Sequence, residues 1–217
     1  TGTVMLNSNW CINIDSSTYS EQVIVSSLTF RYSTNTLTIQ SDPFLAASTW
    51  TSVNAPQLST AAFRILSSSV NIFGIAIIST NSVPYGVYAS SAYVTISEVN
   101  IANTDSKLYT AGIRISSWSM ISYSSVTVVD AHGFWLDGST MTQVSYSTAV
   151  NNSAARHPYY LSGGKNNDFT MIYSNNAHAS GTGFYAGDSD TNTVTQSHLR
   201  GGAQGADIDA GSDYNTI

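Results

Sequence analysis

Apolar residues occur along this chain in short bursts of strict alternation, and the bursts themselves recur. The clearest are GVYAS from Gly86, GIRIS from Gly112, GFWLD from Gly133, PYYLS from Pro158, GFYAG from Gly183 and GADID from Gly205. CINID from Cys11, TLTIQ from Thr36 and AFRIL from Ala62 alternate in the same way, making nine segments whose starts lie 21 to 26 residues apart. The second and fourth positions of every segment are apolar or aromatic, as with Phe134 and Leu136, Tyr159 and Leu161, or Phe184 and Ala186. A period of two places those side chains on one face of a strand and the third position on the other.

A strand that recurs at a fixed longer period is expected to lie on its equivalent in the next turn of a coil, about 4.8 Å away. A second strand per turn shows in the later repeats, where Val144, Phe169 and Val194 fall 25 residues apart. Asn167, Asn192 and Asn215 each stand two residues before an apolar position and are expected to form a stacked amide ladder. A β-sandwich would also have short strands at regular spacing, but would not keep common residue columns through nine repeats. Hairpin dipeptides are sparse too: the one Asp-Gly, Asp137-Gly138, lies inside a repeat. No sustained i, i+3, i+4 apolar stripe argues for helices. The expectation is an all-β, parallel β-helix of about nine turns in one domain spanning residues 1–217.

Composition narrows the partners. Charged residues make up 9% of the chain and the formal charge is −6, with Lys107 and Lys165 the only lysines, so nucleic acid is not an expected partner. The single cysteine, Cys11, excludes an intrachain disulfide and a Cys-based zinc site. The apolar run Val70–Ile78 is too short to span a bilayer, and the first residues lack the basic start of a signal peptide. No motif for phosphate binding, an α/β-hydrolase serine or a His-Glu-x-x-His zinc site is present, and no cofactor or metal is expected.

The pattern in GFWLDGSTMTQV, GFYAGDSDTNTV and GADIDAGSDYNTI resembles the right-handed parallel β-helix repeats of the pectate-lyase-like superfamily. The resemblance covers residues 11–217, sharply after Gly86 and loosely before Ala62. Within that superfamily the Ser-, Thr-, Asn- and Tyr-rich texture is most similar to bacteriophage tailspikes and tail appendages. That resemblance implies a homotrimer, on a virion or otherwise extracellular, that binds or cleaves a bacterial surface glycan. It also implies that this chain is part of a longer one. A structural fibre segment and a secreted polysaccharide hydrolase or lyase are the competing readings.

If the third positions face outward, Asn13, Thr38, Arg64, Tyr88, Arg114, Trp135, Tyr160, Tyr185 and Asp207 form one column. Aromatic faces suit the C–H faces of sugars, so Tyr88, Arg114, Trp135, Tyr160 and Tyr185 are the candidate substrate-binding residues. Cross-rung stacking or a subunit interface would explain the same column. Asp207, Asp209 and Asp188 are the candidate catalytic carboxylates, with Asp207 and Asp209 two apart on one strand and Asp188 about a rung away. Crowding is expected to raise one of their pKa values and so retain a proton for a leaving group. With Asp190 the same group offers an alternative, a calcium site. Asp130, His132, Arg156 and His157 read as surface turn residues flanking the track.

Overall fold

The alternation at Gly133–Asp137 and its equivalents is that of strands buried on one face. The structure, a computed structural model, describes residues 3–42 and 51–217. The chain builds three eight-stranded sheets, visited in the same order on every coil. The first sheet runs from Trp10–Ile14 to Thr193–Thr195, the second from Thr18–Tyr19 to His198–Gly201, and the third from Val23–Val25 to Gln204–Ile208. Neighbouring strands pair in parallel, giving an all-β solenoid of about eight turns, with no helix among the described residues. Between the first and second coils the chain makes an excursion in which Leu28–Phe30 pairs with Val4–Leu6 as a separate two-stranded ribbon.

From Ala62 onward the repeated segments occupy the third sheet in the expected register. Phe134, Tyr159 and Phe184 are successive partners and lie inside, each at most 1% exposed. Phe134 stacks on Tyr159 with ring centroids 5.0 Å apart, and Phe169 of the first sheet meets Phe184 edge-on at 5.1 Å. The Tyr159 hydroxyl donates to the Ser147 carbonyl at 2.7 Å, so the one phenol in this stack keeps a partner.

CINID and TLTIQ lie elsewhere: both belong to the first sheet, where Ile12 pairs with Ile39 and Cys11 with Thr38. The third sheet begins instead with Val23–Val25, and Ile24 stands opposite Arg64. Asn13 and Thr38 therefore leave the outward column. The physical reason is that every sheet of a coil inherits the same period, so spacing alone does not say which of three sheets a strand joins.

Glycine opens most repeats because the coils approach closely there. A Cβ on Gly133 would lie 2.4 Å from the Pro158 carbonyl oxygen and 2.8 Å from Ala149 Cβ; one on Gly183 would lie 2.7 Å from the Gly205 oxygen. The corners are held by neutral polar ladders. Asn167 N–H donates to Asn192 Oδ1 at 2.9 Å and Asn192 N–H to Asn215 Oδ1 at 2.9 Å, as the Asn spacing leads one to expect. Serine does the same at other rungs: Val94 N–H, Val99 N–H and Ser124 N–H donate to Ser119, Ser124 and Ser147 hydroxyls. Stacked corners at one rung spacing would set like charges side by side, which explains why hydroxyls and amides take the place of ionic groups.

Candidate functional site

The outer face of the third sheet carries Arg64, Tyr88, Arg114, Trp135, Tyr160, Tyr185 and Asp207 as successive register partners. All seven are half-buried rather than fully exposed. Adjacent rings lie within contact: Trp135 and Tyr160 have centroids 5.7 Å apart, Tyr160 and Tyr185 5.5 Å. The Arg114 guanidinium sits over Tyr88 at 4.8 Å and over Trp135 at 5.1 Å, and pairs with Asp137. Its charge is thus fixed in place between two rings.

Burial of the column comes from a second one beside it, three residues upstream on each strand. Tyr85, Ala111 and His132 are register partners there, and His157 follows on the next rung, its N–H donating to His132 Nδ1 at 3.1 Å. His132 stacks on Tyr160 at 4.2 Å with an interplanar angle of 11°, and His157 on Tyr185 at 4.8 Å and 11°. Tyr85 lies 5.1 Å from Tyr88 and 6.4 Å from Trp135. The face is consequently two rings wide. His132 and His157 are not surface turn residues: His132 is 4% exposed and opens a strand that extends one residue upstream of Gly133. The signal was present in the sequence as two histidines 25 residues apart, each three before an aromatic.

Burial above all, then the neighbouring His157 and Arg156, holds the His132 pKa down at about 3. Burial likewise lowers that of His157. Because His132 Nδ1 accepts from a backbone N–H, the neutral ring carries its proton on Nε2, with Arg156 Nη1 3.3 Å away opposing any second proton. Five buried side-chain polar atoms among the described residues lack a hydrogen-bond partner, and four of them are on this face: Arg64 Nε, Arg114 Nε, Trp135 Nε1 and His157 Nδ1. Unsatisfied groups are rare in folded proteins, so their concentration distinguishes this surface from the other two sheets.

The carboxylates gather at the C-terminal end of the column, but not as the sequence suggests. Asp207 follows Tyr185 in register, whereas Asp209 lies beyond the strand end at Ile208, in a corner. The Tyr185 hydroxyl donates to Asp209 Oδ2 at 2.9 Å and Ala210 N–H to Oδ1 at 2.7 Å. The backbone bond first and the phenol second hold Asp209 below the usual carboxylate range, while the Tyr185 phenol is pushed up to about 12. This is opposite to the raised pKa expected of a proton donor: Asp209 is kept anionic. Asp188 is exposed on a left-handed turn residue (φ 50°) in the series after Gly138 and Gly163. Asp190 pairs with Lys165 at 3.1 Å and accepts from Asp213 N–H. Among the described residues no three His, Cys, Asp or Glu side chains converge to hold a metal ion, so the calcium alternative fails.

Sequence reasoning also missed a groove of about 970 Å³ on the outside of the first sheet, bounded by the Leu28–Phe30 ribbon and the corner residues Tyr93, Trp118 and Met141. Comparison with protein-family models, with curated proteins and with solved structures finds no match for the chain.

Proposed function

We propose that this protein binds a bacterial surface polysaccharide along the outer face of the third sheet, in the manner of a phage tailspike. The observation that carries the reading is the unbroken column Tyr88, Arg114, Trp135, Tyr160 and Tyr185. It offers ring faces at rung spacing to the C–H faces of sugars, with a guanidinium and phenols for their hydroxyls. Three aromatic rungs span about 10 Å, the length of two or three sugar units. Four orphaned polar groups on the same face, against one elsewhere, fit a surface selected for binding over stability.

Assembly as a homotrimer and action outside the bacterial cell, on a virion or as a secreted protein, belong to the same proposal. Cleavage is its secondary part. Anionic Asp209 suits a base or a stabiliser of positive charge, leaving Asp207 or Asp188 to donate a proton to the leaving group. A purely structural fibre is the opposing reading, favoured by the Tyr185 and Asp209 hydrogen bond, which occupies both groups.

The experiment presents the protein with purified capsular polysaccharides and lipopolysaccharides from diverse bacteria, reading retention by affinity electrophoresis and chain length by size-exclusion chromatography. Retention by at least one polysaccharide is expected. Where chains shorten, Asp207→Asn should abolish shortening and leave retention intact. A panel with no retention would overturn the proposal in favour of the fibre.

A further inference from the structure

We infer that the groove on the first sheet is a second, separate ligand site, and that its ligand is an uncharged oligosaccharide. The groove follows the corner between the third and first sheets across several coils and is closed at one side by Leu28, Thr29 and Phe30 of the ribbon. No Asp, Glu, Lys, Arg or His is among its lining residues, in contrast to the charged ends of the column on the third sheet. What lines it is aromatic and thioether surface from Tyr93, Trp118 and Met120 beside amides and hydroxyls such as Asn71, Thr95 and Gln143. A charged ligand would lose its hydration there with no counter-charge in return, and a lipid chain would strip water from those amides and hydroxyls. A neutral sugar chain matches both kinds of lining.

The backbone adds an independent argument. Ser69, Tyr93, Trp118, Met141, Asn166, Thr191 and Tyr214 occupy one corner position on successive coils, and every one has φ between 54° and 59° except for Tyr93 at 59° and Tyr214 at 58°, which close the same narrow range. The corner thus demands a left-handed residue, for which Gly or Asn is the least strained choice. Where the groove passes, the position holds Tyr, Trp and Met instead, with Tyr93 58%, Trp118 48% and Met141 47% exposed. Tyr93 and Trp118 rings lie 6.2 Å apart, tilted by 35°, as adjoining walls of the groove. Bulky side chains held in a strained conformation without being buried are explained by contact with something outside the chain.

The test uses an array of short uncharged oligosaccharides built from hexoses and N-acetylhexosamines, with Trp118→Asn, Tyr93→Asn and Tyr160→Ala beside the unaltered protein. For at least one glycan, the two asparagine variants should bind about tenfold more weakly or worse, while Tyr160→Ala binds as the unaltered protein does. Their thermal midpoints should be unchanged or raised, because asparagine relieves the left-handed strain. The inference is overturned if no uncharged glycan binds, if binding survives Trp118→Asn, if it is lost instead in Tyr160→Ala, or if the asparagine variants lose midpoint and binding together. That last result would mark the corner aromatics as structural stacking.

Discussion

Acidification from pH 7 to pH 4 should remove about 3 kcal/mol of stability through His132 alone. In the fold this imidazole is buried against Tyr160 and its pKa lies at about 3, whereas an unfolded chain protonates it at its ordinary value of 6.5. Above that ordinary value both states are neutral and the residue contributes no pH dependence. As pH falls below it, the unfolded state gains a proton that the fold refuses, and about 1.4 kcal/mol is lost per pH unit until the folded pKa is reached. His157, lowered for the same reason, steepens the loss. Denaturant unfolding of the unaltered protein and of His132→Gln checks this directly: the variant should show a markedly shallower loss between pH 6.5 and pH 4. Equal slopes would mean that His132 takes up its proton in the fold. Asp209, whose pKa is depressed, acts lower on the scale: its contribution is present above the ordinary carboxylate value and is lost on further acidification.

Asn192→Ala should destabilise the fold by about 2–4 kcal/mol, and Asn192→Ser by about half as much. Asn192 Oδ1 takes two hydrogen bonds, from Asn167 N–H and Asn167 Nδ2, and its own Nδ2 donates to the Gly164 carbonyl and to Asn215 Oδ1. At 3% exposure, water does not replace what alanine removes. The Asn167 N–H would be left with no acceptor, and burying an unpaired donor is costlier than the bond was worth. Serine is the informative control because Ser119 serves Val94 N–H in the same corner three coils earlier, at 3.2 Å. Equal losses for alanine and serine would show that the ladder acts through packing rather than through its hydrogen bonds.

These two residues also mark what the sequence makes legible. Asn192 stands in a visible column because asparagine is distinctive at a 23- to 25-residue spacing. The serine ladders through Ser119, Ser124 and Ser147 do the same work unseen, since serine occurs everywhere in this chain. The outward column from Arg64 to Asp207 follows directly from alternation, because one glycine-led segment per coil sets its register. Its neighbouring column does not, because Tyr85, His132 and His157 lie upstream of those segments, where the chain reads as turn. Nor does the groove: left-handed corner residues break the period of two, so Tyr93 and Trp118 project outward from positions that alternation does not classify. CINID and TLTIQ were assigned to the wrong sheet for a related reason, the ribbon excursion at Leu28–Phe30 lengthening the first coil and shifting the count.

Asp209 is the residue on which binding and cleavage part. With Tyr185 and Ala210 both donating to it, it is a fixed anion at the end of an aromatic track. That arrangement orients a sugar hydroxyl as readily as it supports chemistry, so cleavage rests on Asp207 and Asp188 rather than on a finished acid and base pair.

The central claim is that sugar lies on the rings of the third sheet, and Tyr160 is its middle rung. The most direct measurement is the affinity of a retained polysaccharide for Tyr160→Ala compared with Tyr173→Ala, whose ring stacks on His198 on the second sheet. The account predicts a loss of about tenfold or more for Tyr160→Ala with unchanged binding by Tyr173→Ala. Equal affinity of Tyr160→Ala and the unaltered protein would contradict it.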